Sequence, residues 1–351
     1  MKKGWQIAPL GSLCTVRNGK SDTQDALESG EFVFFDRSKT IKRSSRFLFN
    51  CEALIIPGEG KEFLPRHFIG KFDLHQRAYA LHDFVDNINV KYLYYYLHHR
   101  CDYLPSVAVG ATVKSLRMRH FEEFPVAITA PDDQQRIVAI LDEAFDGIAT
   151  AKANAEKNLQ NARALFESVL DSVHGESAPL GNYVTIKTGK LDANAAIEDG
   201  AYPFFTCAKE IYAIDKYAFD CEAILLAGNN AVGDFNVKHY SGKFNAYQRT
   251  YVITVLDEDL LSYRFLYFQM LKSLKRFKEQ SVGAGTKFLK LGMIKELEIS
   301  LPPIAKQLET ASMLDSLLKE TQRLESIYQQ KLTALDDLKK SLLHQAFSGN
   351  L

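Results

Sequence analysis

The chain has 351 residues, enough for two ordinary domains with their connections. Charged residues make up 25% and hydrophobic ones 46%, which excludes a disordered chain. Basic and acidic residues balance at 43 each, so bulk charge announces neither a nucleic acid nor a membrane surface. The imbalance is local: residues 1–131 are net basic and residues 132–176 net acidic. No apolar run of about 18 residues is present, and "MKKGWQIAPLGS" has no apolar signal core. Five scattered cysteines without C-x-x-C spacing suit reduced thiols. A cytoplasmic protein with no membrane partner is expected.

In chain order, "APLGSLCTVRNGK" from Ala8 leads into the strand-like stretches "EFVFFD", "EALIIPG" and "YALHDF". "VKYLYYYLHHR" then reads as an amphipathic helix, and "APDDQQ" opens a long helical run. The same order then repeats. "APLGNYVTIKTGK" starts at Ala178 and "FDCEAILLAG" answers "FNCEALIIPG", both at an offset of 170. "GKFNAYQRTYVI" from Gly242 answers "GKFDLHQRAYAL" from Gly70 at 172, and "VGAGTKFLKL" answers "VGATVKSLRM" at 173. "LPPIAKQ" opens the second long helix, with Pro in its first turn. A period near 170 is a duplicated domain. The expected segments are 1–131 and 177–303, each globular and mixed α/β, and 132–176 and 304–351, each helical. The fold class is α+β with a pseudo-twofold internal repeat.

Each helical run carries a heptad seam. Its markers are Leu141, Ile148, Ala155, Asn158 and Leu165 in the first run. In the second they are Leu314, Leu324, Lys331, Leu335 and Leu342. A single apolar stripe about 60 Å long needs a partner, and each run offers the other. A twofold relation between the copies would make the two helices antiparallel, a stiff spacer with a globular domain at each end. Asn158 and Lys331 would form a polar interruption that fixes register.

No catalytic constellation can be assembled. G-x-G-x-x-G, the Walker loop, H-E-x-x-H and G-x-S-x-G are all missing, as is the Pro-Pro-aromatic motif of adenine methyltransferases. "PGEGK" at Pro57 lacks phosphate-loop spacing and reads as a tight turn. The chain is expected to bind rather than catalyse.

Two modules on a stiff rod suit a long target with separated elements, and duplex DNA is such a target. Polar residues shared by both copies are Arg66 with Lys238, His67 with His239 and Lys71 with Lys243. Gln76 with Gln248, Arg77 with Arg249 and Lys114 with Lys287 complete the set. They would hold the fold or grip phosphates, while divergent loops read bases. The divergent candidates are Arg37, Lys39, Lys42, Arg43 and Arg46 in "DRSKTIKRSSR", and Asn229, Asn230 and Asn236 in "GNNAVGDFNVKH". Solvated turns would carry the same composition, and Gln76 with Arg77 would equally serve as a hydrogen-bonded pair steadying a strand.

Taken together, the tandem "APLG…GK" openings, "GKF…QR.Y", "VGA…K.L", the "LPPIAKQ" turn and the C-terminal "LKKSLLHQAFSGNL" resemble the specificity subunit of type I restriction–modification systems. The resemblance spans nearly the whole chain, with "APDDQQ" departing from the doubled proline. It implies a non-catalytic subunit with two target recognition domains, each binding half of a split sequence in double-stranded DNA. It also implies two methyltransferase subunits docked on the helices and restriction/translocase subunits beyond them. S-adenosylmethionine, ATP and Mg would belong to those partners, with no cofactor or metal on this chain. The alternative is a coiled-coil adaptor whose duplicated domains bind proteins.

Overall fold

The computed structural model describes residues 4–172 and 175–351. They divide into two compact units, Met1–Ala155 with Gln330–Leu351 and Glu156–Gln329. The four consecutive segments expected from the sequence are therefore not the packing units. The C-terminal helix ends in Leu343, Ala346 and Phe347, which bury in the core of the first unit.

The first unit contains β1 (Gln6–Pro9), β2 (Thr15–Asn18), β3 (Phe32–Phe35), β4 (Lys42–Ser44), β5 (Phe49–Pro57), β6 (Arg66–Leu74) and β7 (Ala78–His82). Then follow α1 (Val90–His99), α2 (Tyr103–Val107), α3 (Met118–Glu122), β8 (Pro125–Ile128) and the first part of α4 (Pro131–Asp171). A six-stranded sheet runs β2-β7-β5-β6-β3-β4, and β1 pairs separately with β8. Only β3 and β6 pair in parallel. The middle strand explains its own composition. Leu54 and Ile56 of β5 face the core built with α1, while Ala53 and Ile55 face a second cluster with Phe35, Phe72 and Leu74. Both faces are covered, so the strand is apolar without alternation.

The second unit repeats this plan. It holds β9 (Glu176–Pro179), β10 (Val184–Thr188), β11 (Tyr202–Phe205), β12 (Tyr212–Ile214), β13 (Phe219–Ala227), β14 (Asn229–Asn230), β15 (Val237–Ala246) and β16 (Thr250–Val255). After them come α5 (Tyr263–Gln280), β17 (Lys287–Phe288), α6 (Leu291–Lys295), β18 (Glu298–Leu301) and α7 (Ile304–Ser348). The six-stranded order β10-β16-β13-β15-β11-β12 matches the first sheet strand for strand. Ile224 and Leu226 face one cluster and Ala223 and Leu225 the other, as in β5. The β14–β17 ribbon has no named counterpart strand in the first unit.

Two repeated glycine motifs have backbone causes. Gly70 and Gly242 sit mid-strand at φ +127° and +130°, a conformation that L side chains rarely adopt. At Gly19 and Gly189 a Cβ would lie 1.9 and 1.8 Å from the carbonyl oxygens of Leu74 and Ala246. The chain after β2 crosses the end of β6 at backbone contact, and only glycine fits.

The helices pair antiparallel within each unit. In the first, Arg136 reaches the carbonyl of Leu351 and Lys152 pairs with Asp336. In the second, Arg163 pairs with Glu325 at 2.7 Å, and Leu170 shares a core with Leu314. Leu141, Ile148, Ala155 and Leu314 are buried, and Leu324, Leu335 and Leu342 half-buried, at the predicted seam. The remaining markers are corrected. Asn158 and Lys331 are exposed, and Leu165 is 56% exposed. Leu159 and Leu332 turn inward instead, followed by Ala162 and Phe166 on α4 and by Leu335 on α7. A straight helix of 3.6 residues per turn drifts from a 3.5-residue repeat, and one additional four-residue step re-phases it. That step falls at the same place in both copies, so no polar pair interrupts the seam. Residues 173 and 174 of the first predicted run, 132–176, lie outside the described residues, and α4 ends at Asp171 with Glu176 already in β9.

Each helix start is fixed by a buried glutamine, Gln134, the first glutamine of "DDQQ", and Gln307, the last residue of "IAKQ". Gln134 accepts from the Asn89 amide at 2.9 Å and donates to the carbonyls of Thr129 at 2.8 Å and Asn87 at 3.0 Å. Gln307 makes the equivalent bonds to Ser262, Pro302 and Leu260.

Candidate nucleic-acid interface

Several shared polar residues are committed to the scaffold. His67 Nε2 and Glu52 Oε1 lie 2.7 Å apart across β5 and β6, and His239 and Glu222 repeat that pair at 2.7 Å. The two glutamates stand at the same place in "FNCEA" and "FDCEA". Arg66 donates through Nη2 to the Ser38 carbonyl. Lys238, its counterpart, donates to the Ala208 carbonyl and to Asn236 Oδ1, both at 2.6 Å. Asn236 in turn donates to the Cys207 carbonyl at 2.8 Å. These side chains hold the loop after β3 or β11 and have little left for a ligand. Burial holds the Lys238 pKa below the usual lysine range. Asn230 accepts the amides of Val232 and Asp234 at 2.9 and 3.1 Å, which closes a turn. Gln76 and Gln248 are exposed and bond Asp22 and Asp192.

Other shared cations stay on the surface. Lys71 Nζ lies 4.9 Å from the Phe47 ring and Lys243 Nζ 4.8 Å from the Tyr217 ring. Neither has a carboxylate partner among the described residues, and both are exposed, a disposition suited to phosphate. Lys114 is exposed, and Lys287 is half-buried on the β14–β17 ribbon opposite Asn230.

The basic loop of the first unit is heavily cross-linked. Lys42 pairs with buried Asp36 at 2.7 Å, Lys39 with Glu62 at 3.1 Å and Arg37 with Glu59 at 2.7 Å. Arg46 pairs with Asp25 at 3.0 Å and Asp73 at 3.5 Å, and Arg43 donates to the Glu31 carbonyl at 3.4 Å. Burial raises the Asp36 pKa, but hydrogen bonds from Lys42 and Ser38 outweigh it and hold the carboxyl below its ordinary range. These cations form an ordered surface rather than a free basic arm.

Glu59 is the centre of the first unit's polar cluster and the residue that sequence reasoning missed. It accepts from Arg37 and from Arg77, with Ser115 Oγ at 3.5 Å. Burial pushes its pKa up, and the two arginines more than reverse that, leaving it below the usual carboxylate range. A cleft of about 460 Å³ is lined by Gly58, Glu59, Gln76, Arg77, Ser115 and Arg117. Another, of about 630 Å³, shares Glu59 and adds Arg37, Lys39, Lys61, Arg66 and His98. Arg66 Nη1 and His98 Nε2 are buried without a hydrogen-bond partner. The repeat offset could have found Glu59, because the second copy has Asn229 there. With that acid missing, Arg249 has no carboxylate among the described residues and lies 5.0 Å over the Phe288 ring.

Among the described residues no group of three or more His, Cys, Asp or Glu is placed to hold a metal ion, and no helix is long and apolar enough to cross a membrane.

A duplicated mixed sheet with a long helix pair in each unit, and an ordered cationic loop cluster on the first, mark a tandem-domain α+β protein. The type I restriction modification DNA specificity domain matches the chain twice, over residues 2–160 and 176–334, and the chain belongs to that family. The Escherichia coli type I restriction enzyme EcoDI specificity subunit is 39% identical over 179 residues, 51% of this chain and 39% of that protein. The EcoprrI specificity subunit, also from Escherichia coli, is 23% identical over 66% of this chain and 62% of its own length. The matched stretches thus span less than two thirds of these relatives. A solved structure titled for complex assembly and conformational transition of the type I R-M system has TM-score 0.71 at 15% identity, covering 100% of this chain and 99% of its own. That likeness establishes the fold.

Proposed function

We propose that this chain is the DNA sequence-specificity subunit of a type I restriction–modification complex. Each recognition unit binds one half of a bipartite duplex target, and the paired helices set the gap and dock two methyltransferase subunits. The chain performs no catalysis in this reading. S-adenosylmethionine, ATP and Mg serve the methyltransferase and restriction/translocase partners. The observation that carries the reading is the duplication itself. One scaffold, held by the same buried contacts, presents two different polar loop clusters, as two different half-sites require.

The test is to express the chain with its methyltransferase and map N6-methyladenine across the host genome. A two-part motif with a fixed gap is expected. Purified complex should bind duplexes carrying that motif, with affinity falling steeply as salt rises. Methylation or binding indifferent to sequence would favour a protein-binding adaptor instead.

A further inference from the structure

Glu59 and Asn229 occupy the same place in the repeat. Each follows a glycine, Gly58 or Gly228, whose amide bonds to the carbonyl of Arg77 or Arg249 at 2.8 Å. The local backbone is therefore shared, and only the side chain differs. In the first unit the carboxylate accepts Nη1 of Arg37 on one oxygen and Nη1 of Arg77 on the other. Each guanidinium commits one nitrogen and keeps its Nε and Nη2 donors. Both side chains remain open to solvent, at 52% and 60%, whereas Glu59 is 9% exposed. Two arginines are thus held at fixed positions with unused donor edges facing outward.

We infer that Glu59 is a positioning residue for base reading in the first half-site, fixing Arg37 and Arg77 as a fork whose free edges address the O6 and N7 acceptors of guanine. The inference rests on the functional reading above and deepens it. A bidentate contact needs a guanidinium in one orientation, and a mobile arginine loses entropy to reach it. The carboxylate removes that mobility before DNA arrives. It also cancels one of the two positive charges, which weakens sequence-neutral attraction to phosphate and leaves the directional bonds in command. Arg249, resting on Phe288 without an acid, keeps its full charge and suits backbone contact.

The experiment uses the full chain assembled with its methyltransferase subunits and a duplex library randomised over both half-sites, with bound molecules sequenced. The unsubstituted complex should select a two-part motif with guanine in the half read by the first unit. Glu59→Gln keeps the shape but presents an amide donor to one arginine. It should cut the guanine preference at least tenfold in that half, leave the other half unchanged and steepen the salt dependence. Asn229→Glu provides a second arm should the first variant fold poorly, and it should change selection only in the other half. An unchanged motif in a folded Glu59→Gln complex, or equal changes in both halves, overturns the inference while sparing the functional reading. Failure of the unsubstituted complex to select any two-part motif removes the functional reading and this inference with it.

Discussion

Gln134 and Gln307 stand at matched positions of the two units and make the same three hydrogen bonds, whereas Glu59 and Asn229, equally matched, do different things. The first pair lies in the core, where a change strands buried partners. The second lies just past the central strands, where Glu59 is buried but the arginines it holds are exposed, so a change redirects surface cations. Duplication therefore separates the residues that hold the fold from those free to diverge. The sorting follows what each side chain holds and not residue type. Arg66 and Lys238 are cations, yet both belong with the glutamines, because their donors hold a loop carbonyl.

The largest effect should come from breaking the core half of this comparison. Gln134→Leu or Gln307→Leu leaves one amide and two carbonyls unpartnered, costing about 3 kcal/mol or more. Hydrogen exchange should show the loss in α1 for the first variant and in α5 for the second. Equal loosening of both units would break the comparison.

A unit-specific pH effect comes next. Burial first, then Lys339, depress the His98 pKa to about 4, with a bond to the Pro65 carbonyl opposing them. The folded state keeps this ring neutral, so its contribution is fully present above the unfolded value near 6.5. It is lost as pH falls from about 6.5 to about 4, by up to about 3 kcal/mol. Denaturation across that window should show the slope, and His98→Phe should flatten it. The second unit carries no histidine at the matching position and should lack the effect.

The seam correction is tested by a neighbouring pair. Leu159→Ala should cost about 1–2 kcal/mol, because Leu159 is half-buried. Leu165→Ala, at 56% exposure, should stay within about 0.5 kcal/mol. Reversed magnitudes in chemical denaturation would restore the uninterrupted heptad.

The smallest effect concerns the surface cations. Lys71→Ala and Lys243→Ala should each weaken DNA binding alike on many sequences and reduce the salt slope by about 1. A change of target preference would move them from backbone grip to base reading.

Much of the fold was legible because its signals are local or repeated. "FVFF", "ALIIP" and "YALH" form strands at or beside the expected residues, and the two long helices begin within a residue of their predicted starts. The candidate site was legible by position and much less by role. "DRSKTIKRSSR" reads as a basic loop open to bases or solvent until its own Asp36 and, from other parts of the chain, Glu59, Glu62 and Asp73 pair with its cations. The heptad register failed after Ala155 because a 3.5-residue pattern can be continued on paper where a straight helix has already drifted past it.

The sequence by itself determined that one domain is built twice, where its main strands run and where the long helices start. Those features depend on apolar periodicity, glycine and residue identity compared at a fixed offset. Tertiary structure alone decided that the end of α7 completes the first core, and that Arg66, Lys238 and Asn236 serve the loop beside them. It also decided that one carboxylate gathers two arginines from separate loops. Coulomb attraction and burial act between atoms brought near each other by folding, and linear spacing carries no measure of that distance.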